Sequence, residues 1–76
     1  MDIKLSELKP GQLGIIKKFQ NSELSLKFLE MGCVPGETIY VNQIAPLGDP
    51  MSVKVAGYNL SLRMSEAEFI IVDYTN

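Results

Sequence analysis

Met51-Ser52-Val53-Lys54-Val55-Ala56-Gly57-Tyr58-Asn59-Leu60-Ser61-Leu62 decides the fold. Met51, Val53 and Val55 alternate with Ser52, Lys54 and Ala56, the period of a strand with one buried face. Gly57 accepts a positive φ without steric cost and marks a turn. Tyr58, Leu60 and Leu62 then resume the alternation against Asn59, Ser61 and Arg63. The stretch reads as a β-hairpin.

Upstream, Lys9-Pro10-Gly11-Gln12 and Val34-Pro35-Gly36-Glu37 each suit a type II turn, with proline presetting the first central φ and glycine taking the second. Each launches a largely apolar stretch with β-branched residues, 13–19 and 38–45, read as strands. Between them residues 23–31 form the helix candidate, with Ser22 as the N-cap, Glu23 at the positive end of the dipole and Gly32 as the C-terminal stop. Leu24, Phe28 and Met31 share one face and should be buried, with Leu29 at its edge. Glu23, Lys27 and Glu30 form the solvated face, and Leu26 projects outward. Ser65-Glu66-Ala67 suits one helical turn before a last strand at 69–72, and Ser6-Glu7-Leu8 suits another near the N-terminus.

The chain has 76 residues, 46% apolar and 21% charged, which makes a single globular domain over 1–76. Its net stability should be about 4–11 kcal/mol. About five short strands cannot bury a flat sheet at this length. Curling them into a small barrel encloses the core and removes most free edges. The fold expected is mainly β, a small SH3-like barrel of about five strands. One α-helix is inserted between the first two strands and plugs one end with Leu24, Phe28 and Met31. A five-stranded OB-type barrel satisfies the same periodicity.

Histidine and tryptophan are absent and Cys33 is the lone cysteine. That removes the usual general base, the Ser–His and Cys–His pairs and any intrachain disulfide, so an enzyme is not expected. Ferrous iron favours converging imidazole, carboxylate or thiolate ligands. The acidic residues Asp2, Glu7, Glu23, Glu30, Glu37, Asp49, Glu66, Glu68 and Asp73 are scattered, and Glu66 and Glu68 at i, i+2 turn apart on a helix. No metal or cofactor site is expected. The formal net charge of −2 provides no field to gather nucleic acid. With no leader-like N-terminus and no apolar run near 20 residues, a soluble, cytoplasmic protein is expected.

Ala45-Pro46-Leu47-Gly48-Asp49-Pro50 links two strands and is stiffened by two prolines that donate no ladder bond. Gly48 can reverse the chain, and Asp49 can accept from backbone amides. The loop either sets strand geometry or presents Leu47 to a partner.

The order Leu29-x-Met31-Gly32-x-x-Pro35-Gly36, then Ala45-Pro46-Leu47-Gly48-Asp49-Pro50, then Leu60-x-Leu62-Arg63 resembles the FeoA family of ferrous iron transport proteins. The resemblance runs from Leu5-x-x-Leu8-x-x-Gly11 to near Val72. Cys33 stands where that family usually has a simple apolar residue. The resemblance implies an SH3-like barrel and a cytosolic accessory to FeoB, the membrane ferrous iron transporter. The same barrel ends DtxR-like metal-dependent repressors, but this chain has no helix-turn-helix segment.

The expected function is a non-enzymatic interaction module for ferrous iron uptake, with Leu26, Pro46, Leu47, Gly48, Asp49, Pro50 and Arg63 as its partner-binding residues. Phe69 or Ile71 adds an apolar anchor, because alternation lets one pair within 69–72 point inward and leaves the other exposed or covered. Arg63 pairs either with a partner's carboxylate or internally with Asp49, the internal pairing being preferred. Lys17 and Lys18 read as protection of an edge strand. Met31, Met51 and Met64 read as packing, as does Cys33. The alternatives are a metal-responsive or transition-metal-binding barrel and a small-barrel nucleic-acid binder.

Overall fold

The computed structural model describes residues 1–75. In chain order the elements are β1 (Asp2–Lys4), a 3₁₀ turn (Leu5–Glu7), β2 (Leu13–Phe19), α1 (Ser22–Glu30) and β3 (Thr38–Ile44). Then come β4 (Met51–Val55), β5 (Tyr58–Leu62), α2 (Met64–Ala67) and β6 (Ile70–Asp73). The strands form one six-stranded sheet ordered β1-β6-β2-β3-β4-β5, and every adjacent pair is antiparallel. Register shifts at Ile16/Lys18 and Val41/Gln43 bend it into a barrel. α2 meets the 3₁₀ turn at one end.

Both Pro-Gly turns form, with Gly11 at φ +88° and Gly36 at φ +98°. Gln12 N–H donates to Lys9 O and Glu37 N–H to Val34 O, each at 3.0 Å. In the β4–β5 hairpin Ala56 (φ +51°) shares the left-handed region with Gly57 (φ +83°). Both central residues are therefore of the primed kind that matches strand twist. Ala56 belongs to the turn, not to the alternating strand.

The cap of α1 is Asn21 rather than the expected Ser22. Asn21 is extended, and its Oδ1 accepts from the N–H of Glu23 (2.8 Å) and Leu24 (3.2 Å). Ser22 is already helical, and its carbonyl accepts from Ser25 Oγ. A sixth strand, β1, adds to the sheet by pairing Ile3 with Val72 and Lys4 with Ile71. β2 lies between β6 and β3, so Lys17 and Lys18 guard no edge; Lys17 instead sits 3.8 Å from Asp2. Finally, Ile70, Ile71 and Val72 are all buried. Ile71 lies in register between Lys4 and Lys18, whose aliphatic stems are long enough to cover it. It offers no exposed anchor.

The inward faces of all the longer strands build the core, joined by Leu5, Leu8, Phe28, Cys33 and Ala67. Phe28 is fully buried, with its ring centroid 5.2 Å from that of Phe19. Leu24 and Met31 are half-buried at the rim of the core. Met51 is buried and Met64 packs on the core from outside.

Candidate functional site

α1 lies across the barrel end and leaves an open groove of about 910 Å³ between itself, the 45–50 loop and the segment that joins β5 to β6. Leu24, Lys27 and Met31 form the helix wall, Asp49 and Pro50 the loop wall, and Ser61, Arg63 and Phe69 line the far side. Half-burial of Leu24, Met31 and Phe69 gives the groove an apolar component, and polar groups set its rim.

Those polar groups are held by the backbone of α2. Asp49 Oδ1 accepts the Met64 N–H at 2.9 Å, and Glu66 Oε1 accepts the Arg63 N–H at 3.0 Å. The other Glu66 oxygen takes the Lys27 ammonium, tying α1 to α2. The Lys27 bond, with the Arg63 amide second, holds the Glu66 carboxyl below its ordinary pKa. Within the loop, Gly48 N–H donates to Ala45 O (2.7 Å) and Ala45 N–H to Pro50 O (3.0 Å). The Asp49–Pro50 peptide is cis.

The internal Arg63–Asp49 ion pair is not formed. Asp49 is turned to the first amide of α2, a donor that the helix itself leaves without a partner. Among the described residues the exposed Arg63 guanidinium has no carboxylate within 4.0 Å. Of the partner-binding residues singled out in the sequence, the groove gathers Asp49, Pro50, Arg63 and the half-buried anchor Phe69. Leu47 is 97% exposed at the loop tip beside Pro46 and Gly48, and Leu26 is 63% exposed on the outer side of α1. Lys27 and Glu66 escaped the sequence reading because their pairing joins two helices that are distant in the chain.

A second hollow of about 440 Å³ continues the groove, with Glu30, Met31 and Gly32 facing Tyr58, Asn59 and Leu60. Met31 lines both. The two make one trench between α1 and β5.

Among the described residues no three His, Cys, Asp or Glu side chains converge. Cys33 is buried, and burial pushes its thiol from an ordinary 9.0 up to about 11. A thiol-reactive disulfide reagent at pH 8 should therefore leave the native chain unlabelled and modify it stoichiometrically in denaturant. Because the unfolded thiol ionises first, this group should also lower stability as pH rises from about 9 to 11. Rapid labelling of the native chain would contradict both expectations.

Among the described residues no helix is long and apolar enough to cross a membrane. Residues 3–74 match the FeoA domain family. A fusion of Fe(2+) transport protein A with the Fe(2+) transporter FeoB from Porphyromonas gingivalis is 42% identical over 72 residues, which cover 93% of this chain and 8% of that protein. The chain thus spans a small fraction of its curated relative. The solution structure of iron(II) transport protein A from Clostridium thermocellum superposes with a TM-score of 0.90 at 46% identity, covering 96% of this chain and 46% of that one. FeoA from Stenotrophomonas maltophilia, described as a prokaryotic SH3-domain protein and solved with zinc, gives 0.81 at 30% identity over 93% of this chain and 89% of its own. A bent antiparallel barrel capped by one helix, matched over nearly its whole length by these proteins, places the chain in the FeoA family of ferrous iron transport.

Proposed function

We propose that the chain works as an interaction module that docks on the cytosolic region of a FeoB-type ferrous iron transporter and performs no chemistry of its own. The observation that carries this reading is the groove beside the 45–50 loop, with an exposed arginine on its rim that has no carboxylate within 4.0 Å among the described residues. Its carboxylates Asp49 and Glu66 are engaged with backbone amides and Lys27, not turned toward a common centre. The fused relative supports the choice of partner, because joining two modules in one polypeptide raises their effective concentration to about the millimolar range.

A partner covering about 800 Å² of this surface spans the groove and both its flanks. Leu47 and the neighbouring Pro46 and Gly48 on one side, and Leu26 on the other, then meet it together with Asp49, Pro50 and Arg63. Such docking biases the transporter's nucleotide-linked conformations to the extent that its affinity differs between them.

Calorimetry of the intact chain against the isolated cytosolic region of such a transporter should give a saturable isotherm. The double variant Leu26→Glu, Leu47→Glu should weaken it at least about tenfold. Both positions are exposed, so the fold should survive. A flat isotherm with the unaltered chain, or affinity untouched by the double variant, would count against the proposed surface.

A further inference from the structure

β5 is an edge of the sheet, paired among the described residues with β4 alone. Its two-residue turn makes Val55 and Tyr58 a hydrogen-bonded pair, so residues 58, 60 and 62 bond to β4. The N–H and C=O groups of Asn59 and Ser61 therefore point outward, and among the described residues no backbone group answers them. Natural edges are blunted by lysine, proline, a bulge or brevity. The other edge, β1, has only three residues, whereas β5 has five, in unbroken register with β4 and free of lysine and proline. The trench runs along this bare edge, with α1 as its opposite wall.

We infer that β5 accepts a second neighbour, a seventh strand for the sheet, in the form of an extended segment of a partner chain, laid in the trench with its backbone on Asn59 and Ser61 and a carboxylate side chain on Arg63. The mode is strand addition, in which backbone bonds provide affinity and alternate side chains provide selectivity. Charge fixes the chemistry of the occupant. At one end Arg63 has no carboxylate within 4.0 Å among the described residues, and Lys27 is already engaged with Glu66. Glu30 stands at the other end, where it opposes a second acidic residue. Between them Met31 and Leu24 offer apolar contact to every second side chain. From Asn59 to Arg63 is about 13 Å of strand, so roughly five residues of the partner are read.

The inference rests on the docking reading only for the partner's identity, so two probes separate them. One is the isolated cytosolic region of a FeoB-type transporter. The other is a synthetic N-acetylated hexapeptide of alternating valine and threonine with a single glutamate placed to meet Arg63, which tests the edge alone. Amide exchange followed by NMR on the intact chain should slow at Asn59 and Ser61 by at least about tenfold when the peptide is saturating. Ser61→Pro removes an outward donor and spares the β4 ladder, a place where a strand tolerates proline. It should weaken binding of either probe about tenfold, and Arg63→Glu should do the same with no change in the backbone.

Transporter binding that is unaffected by Ser61→Pro and Arg63→Glu overturns the edge inference and leaves the docking reading standing. Protection by the peptide without any transporter binding does the reverse. Concentration-dependent dimerisation that protects the same two amides assigns the edge to a second copy of the chain, and it too overturns the inference.

Discussion

Phe28→Ala should unfold a large share of the chain at 37 °C, because a buried Phe→Ala change costs about 3–5 kcal/mol and the whole domain has about 4–11 kcal/mol to lose. Phe28 is the one residue of α1 with no exposed surface, and its ring leans on Phe19 at the end of β2. α1 has only nine residues, too few to be stable alone. Its attachment to the barrel is therefore largely Phe28, with half-buried Leu24 and Met31 on either side. Chemical denaturation should show a midpoint lowered by most of its value, and far-UV circular dichroism should show loss of helix before loss of sheet. Because α1 is a wall of the trench, any folded remnant should bind neither probe. An unfolding free energy within about 1 kcal/mol of the unaltered chain would show that the helix is held by something else.

Gly14→Ala is the second large effect, and it acts on the sheet. A Cβ at Gly14 would stand 3.0 Å from Val72 Cγ2 and 3.1 Å from the Asp73 carbonyl. The valine methyl can yield a few tenths of an ångström, but the carbonyl belongs to β6 and moves only with the strand. Overpacking of this kind costs about 1–3 kcal/mol. Since β6 holds both β1 and β2, the strain should appear as faster amide exchange along 70–73 and along β1, with α1 and the β4–β5 hairpin unaffected. Unchanged exchange there, together with unchanged stability, would mean that the sheet flattens freely at this point.

The strands that the sequence revealed are those whose residues alternate over five or more positions between turn signals. β4 and β5 are the clearest, and the two Pro-Gly turns place β2 and β3. β1 was invisible because three residues cannot display a period, and its strand character comes wholly from β6. Asn21 and Ser22 are adjacent and both good caps, so only the backbone angles choose between them. In 69–72 alternation leaves open whether the second pair is exposed or covered, and Ile71 is covered because a strand with neighbours on both sides and lysine stems above it buries consecutive residues. The candidate site was legible in part. Asp49, Pro50 and Arg63 do converge, but the direction of the Asp49 carboxylate depends on an amide fifteen positions away. The bare edge of β5 depends on strand order, which local pattern does not encode.

Pairing of β1 with β6 has a further outcome. The Met1 ammonium reaches the Asp73 carboxylate at 2.8 Å, and Tyr74 N–H donates to the Met1 carbonyl. Both ends thus emerge side by side, at the opposite limit of the strand order from β5. A tether spliced to either end leaves from the same corner, beside β1 and β6, so the fold can be carried on a longer polypeptide, and the matched relative from Porphyromonas gingivalis is such a fusion.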